Sequence, residues 1–530
     1  MIRDTFACDV SPSSVFGCEA RDGGCGMSWH NRVSFERQLH QRFSRRQILK
    51  GIIVGASAPA VSALLAACGG GGATPTPTQA PAAQPTATKA AASPTAGGMT
   101  PTSGMAGATP TVITTGTAVT YTKDNPPAVF NADQAKKYSN QQITYYGDSV
   151  GIGAELDQIL AKKFSEATGI KINVVPKPQS ATENYATYQR FFSAKSADVD
   201  VMMLDVIWPG AFAPHLLDLS QAFANEIKQF YPTIVENNTV NGKLTCIPWF
   251  GDFGMLYYRK DLLEKYGFSK PPETWDDLEQ YAKKIMDGEK GSNANFVGFV
   301  FQGNAYEGLT CDALEWLASS GGGTFIENGK VTINNPNAVA ILNKVRGWVG
   351  TIAPRGVTTY QEEDARQVFQ GGNAAFMRNW PYAYSLAGGA DSPIKGKFDV
   401  APLPAQPGNK HVGTVGGWQL GVSAYSKNKE ASIEFIRYMT SPQVQTYRAV
   451  VGSFVPTIPS VAADPQVLKA MPFLQSLQDV VRVTRPSRET GDKYNQVSTI
   501  IFQGVNQILN GSDAAQVLPQ VAQQLQRLIG

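Results

Sequence analysis

Catalytic chemistry has little to work with in this sequence of 530 residues. It holds four histidines, and His30 and His40 fall in the N-terminal stretch. That leaves His215 and His411, too far apart to form a ligand-spaced pair for a metal. Zinc-protease, phosphate-loop and nucleophile-elbow patterns are absent. Gly151-Ile152-Gly153 follows a candidate strand and precedes a candidate helix, but it lacks the third glycine of a dinucleotide-binding turn. No cofactor and no metal are expected, and the chain reads as a non-enzyme. Paired carboxylates brought together by folding would suit glycoside hydrolysis, so a cell-surface hydrolase stays open as an alternative. Of six cysteines, only Cys246 and Cys311 lie in the part that reads as globular. They are either one disulfide or two buried thiols.

The elements that would position any site follow an α/β grammar. Residues 143–146 read as a short strand, followed by a Gly-spaced turn with Gly147, Gly151 and Gly153. Leu156, Ile159, Leu160 and Phe164 then share one helical face, and Gly169 is a natural stop. Ile170, Ile172 and Val174 alternate with polar residues as the next strand, and 199–204 continues the alternation, which argues for parallel sheets. Downstream, 255–258, 296–301, 374–377 and 398–400 read as strands, and 260–266, 312–319 and 337–349 as helices. Thr274 with Asp277 three residues on resembles a capping box. After Ser426 the pattern is helical almost to Gly530.

Charge excludes one class of partner. Residues 1–68 carry eight Lys/Arg and five Asp/Glu; removing them from 46 and 43 leaves 38 of each. A neutral chain has no basic face for nucleic acid. The N-terminal stretch itself reads as an address. Ser44-Arg45-Arg46-Gln47-Ile48-Leu49-Lys50 precedes an apolar run to Ala67, like a twin-arginine export signal, with Sec export the alternative. Leu65-Ala66-Ala67-Cys68 is similar to a lipobox, which implies cleavage after Ala67 and acylation of Cys68. Residues 69–120 are mostly Gly, Ala, Thr and Pro with almost no bulky apolar side chains, and read as a disordered tether. About 50 such residues span on the order of 40 Å as a flexible coil. The folded part is therefore expected at 121–530.

Several runs there resemble the family 1 extracellular solute-binding proteins of ABC importers, most closely a trehalose/maltose-binding branch. They are Ile247-Pro248-Trp249-Phe250-Gly251-Asp252-Phe253-Gly254-Met255-Leu256-Tyr257-Tyr258-Arg259, Pro271-Pro272-Glu273-Thr274-Trp275-Asp276-Asp277-Leu278, Met377-Arg378-Asn379-Trp380-Pro381-Tyr382 and Gly416-Gly417-Trp418-Gln419-Leu420. The resemblance implies an α/β, two-lobed periplasmic-binding-protein fold with hinge segments and a ligand cleft between the lobes. The lobes would comprise residues 139–247 with 399–437, and 250–398 with 438–530. It implies capture of a sugar by lobe closure, for a permease, by a monomer on the outer face of the bacterial membrane. A polyol or glycerol phosphoester is the alternative ligand. Carboxylate, amide and guanidinium groups bind sugar hydroxyls, and aromatic rings stack on the sugar's C–H face. By similarity Asp205, Asp252, Trp380, Gly417, Trp418 and Arg485 are ligand contacts, with Glu155, Phe250 and Tyr306 further candidates. Asp205 ends a strand, where ligands of open α/β sheets gather. The Gly, Asn and Pro neighbours of Trp380 and Trp418 suit loops.

Overall fold

The computed structural model describes residues 119–530. The arginine pair, Cys68 and nearly all of the 69–120 segment lie outside the described residues.

The first βαβ unit forms as its pattern predicts. Strand Gln142–Gly147 buries alternate side chains, and helix Gly153–Thr168 follows with Leu156, Leu160 and Phe164 buried. Gly169 closes that helix at φ 77°, the left-handed conformation glycine adopts without strain. Strand Lys171–Pro176 pairs parallel to the first, and Val201–Asp205 lies parallel on its other side. All five residues of Val201–Asp205 are buried, as a central strand covered on both faces requires. The sheet is mixed, however. Strand Val412–Val422 runs antiparallel to both Val201–Asp205 and Ile247–Phe253. Seven strands belong to this sheet, with Val455–Pro456 and Lys171–Pro176 at its two ends and Val481–Val483 paired to the start of Val412–Val422.

A second sheet of four strands has the order Phe398–Ala401, Met255–Arg259, Ala374–Asn379, Val297–Val300. The chain enters it at Gly254, between two consecutive strands. A Cβ at Gly254 would lie 1.9 Å from Glu315 Oε1 and 2.7 Å from an Arg378 nitrogen, so this crossing has room only for glycine. Behind the second sheet, Trp275, Phe299, Trp316 and Trp348 form a core with Ile501 and Leu525 of the last two helices, Tyr494–Leu509 and Ala514–Ile529. The expected capping box at Thr274 is present: Thr274 and Asp277 each accept the other's amide at 3.0 Å.

Two segments fall elsewhere than the expected lobe boundaries. Residues 399–401 belong to the second sheet, through antiparallel pairing of Phe398–Ala401 with Met255–Arg259. Residues from 438 to about 480 stay with the first sheet: Val455–Pro456 pairs with Ile247–Phe253, and Tyr447, Met471 and Phe473 join the core that holds Tyr145 and Trp249. An unbroken helical pattern carried no sign of that delay. Among the described residues no helix is long and apolar enough to cross a membrane.

Candidate ligand-binding site

Between the two sheets lies a cleft lined by side chains from both, the kind of concave place where small molecules bind. The first wall is built from strand ends. Asp148 follows strand Gln142–Gly147, Lys177 follows Lys171–Pro176, and Asp205 ends Val201–Asp205. These are the carboxyl ends of parallel strands, where the topology leaves a crevice. Phe250 and Asp252 project from Ile247–Phe253, and Gly416, Gly417 and Trp418 from the neighbouring strand. Gly417 has φ 115°, and a Cβ there would sit 2.6 Å from the Phe250 carbonyl oxygen. Only glycine lets the two strands close beside the irregularity at Trp418/Gln419.

The facing wall comes from helix starts and one turn. Glu307 and Gly308 open helix Glu307–Ala318, Glu362 opens Glu362–Gln370, and Trp380 and Tyr382 follow strand Ala374–Asn379. Arg485, just past Val481–Val483, joins the walls. Its Nη2 donates to Asp205 Oδ1 at 3.1 Å and its Nη1 to Glu307 Oε1 at 2.8 Å. Glu307 also accepts from the Tyr494 hydroxyl and from Ser498 Oγ at 2.6 Å.

Each tryptophan carries a cation over one ring face. Lys177 Nζ lies 4.2 Å from the Trp418 ring centroid, and the Arg378 guanidinium 3.9 Å from that of Trp380. Arg378 is held by both Glu315 oxygens at 2.8 and 2.6 Å, by Asp312 at 3.0 Å and by Gln302 Oε1 at 3.0 Å. Trp380 Nε1 donates to Glu362 Oε1 at 3.4 Å. Lys177 is buried and makes no salt bridge among the described residues; burial pushes its pKa down, against the pull of Asp148, Glu362 and Asp205. Asp252 is pushed well above the ordinary carboxylate range, first by burial and then by Asp148 and Asp205, and its Oδ1 has no hydrogen-bond partner among the described residues.

Seven of the nine expected contacts therefore meet in the cleft: Asp205, Phe250, Asp252, Trp380, Gly417, Trp418 and Arg485. Trp380 follows a strand as a loop residue, whereas Trp418 sits within one. Glu155 does not reach the cleft. The helix turns its apolar face inward and leaves Glu155 half exposed, paired with Lys123 at 2.8 Å. Tyr306 is buried behind the wall, with its hydroxyl where a Cβ on Gly308 would be only 2.2 Å away. The disulfide does not form: Cys246 and Cys311 are both free and buried. Cys246 packs in a small core with Trp208 beside the first sheet, while Cys311 lies on helix Glu307–Ala318.

Asp148, Lys177, Glu307, Glu362 and Tyr382 escaped the sequence reading. The strand-end rule that selected Asp205 applies equally to Asp148 and Lys177. Glu362 stands in an acidic helix start, Glu362-Glu363-Asp364, where nothing distinguishes one carboxylate from the next.

Two α/β lobes with a cleft built from strand ends, tryptophans and carboxylates define a two-lobed solute-binding protein. The family model of the bacterial extracellular solute-binding protein matches residues 146–446. A probable ABC transporter-binding protein of Deinococcus radiodurans is 50% identical over 393 residues, covering 73% of this chain and 94% of that protein. Among solved structures, maltose-bound T. maritima MalE3 shares 41% identity at a TM-score of 0.68, over 73% of this chain and 99% of that one. The GacH receptor of Streptomyces glaucescens, solved unliganded and with acarbose, shares the fold at 24% identity and a TM-score of 0.65, over 73% of this chain and 98% of its own. The chain belongs to the bacterial extracellular solute-binding proteins, as an ABC transporter solute-binding protein.

Proposed function

We propose that this chain captures a sugar outside the cell and delivers it intact to an ABC permease, acting as a monomer lipid-anchored through Cys68 and held on the 69–120 tether. The observation that carries this reading is the meeting of Trp380 and Trp418 with Asp148, Asp205, Asp252 and Glu362 around one cleft. Aromatic faces take the C–H face of a sugar ring, and carboxylates accept from its hydroxyls. The maltose bound to the 41% identical MalE3 supports a di- or oligosaccharide as ligand. A glycerol phosphoester fits less well. The lining cations are Lys177 and Arg485, and Arg485 is already neutralised by Asp205 and Glu307. An acyclic polyol would use the carboxylates but leave the tryptophan faces without a ring.

Titration calorimetry against mono- and disaccharides and polyols, with product analysis of the same samples, tests the reading. The expected result is tight binding of one sugar recovered unchanged. Binding of polyols alone would move the ligand class, and a cleaved glycoside would replace capture by hydrolysis. Membrane retention is tested separately: Cys68→Ala is expected to release the protein, and continued retention contradicts lipidation.

A further inference from the structure

Arg448 lies on helix Pro442–Gly452 and is not among the residues lining the cleft. Its side chain is 2% exposed. The guanidinium carbon sits 3.9 Å from the Trp249 ring centroid, 4.1 Å from that of Phe454 and 5.4 Å from that of Phe250. Phe250 and Phe454 both line the cleft and meet edge-on at 4.7 Å. On the polar side, Nη1 donates to Asp157 Oδ1 at 2.6 Å, while Nη2 stands 3.8 Å from Asp148 Oδ2. Nε and Nη2 are buried without a hydrogen-bond partner among the described residues.

Among the described residues, the backbone holds only one oxygen of Asp148. Its Oδ1 accepts from the Ser149 and Val150 amides at 2.8 and 3.1 Å. Its Oδ2 lies where a Cβ on Gly153 would be 2.1 Å away, so the helix start blocks that side. Asp157, which holds Arg448, also accepts from the Tyr145 hydroxyl at 2.9 Å and from the Asp148 amide at 2.8 Å. A buried guanidinium with bare nitrogens is costly, and packing alone would be served as well by an apolar side chain. What the position supplies is one rigid charged plane that stands 3.8 Å from a cleft carboxylate and over two cleft rings at once.

We propose that Arg448 is a positioning residue for ligand capture: it fixes the Asp148 carboxylate from behind and props the Phe250 and Phe454 rings against the ligand. The proposal rests on the cleft being the saccharide site. Calorimetry with maltose as the probe tests it on the full chain carrying Arg448→Met, Arg448→Lys, Asp148→Asn, or Arg448→Met with Asp148→Asn, each checked for a cooperative thermal transition. Arg448→Met is expected to weaken maltose binding about tenfold or more, and adding Asp148→Asn to cost less than about a further twofold, because the two losses are one. Arg448→Lys keeps the charge without the plane and recovers only part of the affinity. Affinities within about twofold of wild type in both Arg448 variants, or losses that multiply, would overturn the role. If the wild-type protein takes up none of the mono- and disaccharides of the calorimetry panel, the saccharide reading falls by itself. The ligand-free crystal structure of Arg448→Lys then decides the positioning role. Asp148 and Phe454 displaced by more than about 0.5 Å support it, and unmoved side chains overturn it.

Discussion

The two walls of the cleft reach similar chemistry by different constructions. On the larger sheet, Asp148, Lys177 and Asp205 stand at strand ends placed by the sheet ladder, parallel for the first two and antiparallel to Trp418 for Asp205. On the lobe with the smaller sheet, Glu362 and Glu307 stand at helix starts and Trp380 on a turn, and the ladder fixes none of them. That wall is instead stiffened from behind, where Arg378 is bound by Glu315, Asp312 and Gln302 beneath the Trp380 ring. The first wall has a looser counterpart in Arg448, with one close carboxylate and two unpartnered nitrogens. Backbone geometry thus does on one side what a buried ion network does on the other.

That contrast can be broken from either side. The largest effect is expected from Arg378→Met, which strands Asp312 and Glu315 as buried, unpaired carboxylates. It should cost about 3–5 kcal/mol of stability, measured by urea unfolding. A loss under about 1 kcal/mol would mean that the second wall does not depend on its network. Trp380→Ala should leave the fold intact and weaken sugar binding by about 2 kcal/mol, roughly thirtyfold, through loss of the stacking face. Unchanged affinity would remove Trp380 from the site.

Asp252→Asn sharpens the electrostatics of the first wall. The raised folded pKa of Asp252 means the native state keeps a proton that the unfolded chain releases above about pH 4. The stability this group contributes is complete below that pH and is lost as pH rises toward the folded pKa. Asp252→Asn should therefore raise unfolding stability more at pH 8 than at pH 5, and an equal change at both would contradict a retained proton. Glu155→Ala should change neither stability nor binding by more than about 0.5 kcal/mol, because its pair with Lys123 is half exposed. A larger binding loss would put Glu155 back in the site.

Local pattern carried most of the fold. The short strand at 143–146, the Leu156/Leu160/Phe164 face, the Gly169 stop and the Thr274 capping box each depend on residues close in sequence, and each forms. Long-range partnering was not legible in the same way. Nothing near Val412 announces an eleven-residue strand antiparallel to two others, and it is this strand that brings Trp418 opposite Asp205. The same limit explains the cysteines: pairing depends on where two lobes put them. Glu155 lies off the cleft for a more local reason, since one residue of helical phase decides between cleft and solvent, while Tyr306 is buried in the extended residue just before helix Glu307–Ala318. Asp148 and Lys177 were within reach of the strand-end rule and lacked only its even application.

The most direct test of the account is a crystal structure of the protein with the sugar that binds it most tightly in calorimetry. The account predicts a sugar ring against Trp380 or Trp418, with its hydroxyls bonded to Asp148, Asp205, Asp252 or Glu362. A sugar seated elsewhere, or one that leaves both tryptophan faces bare, would contradict it.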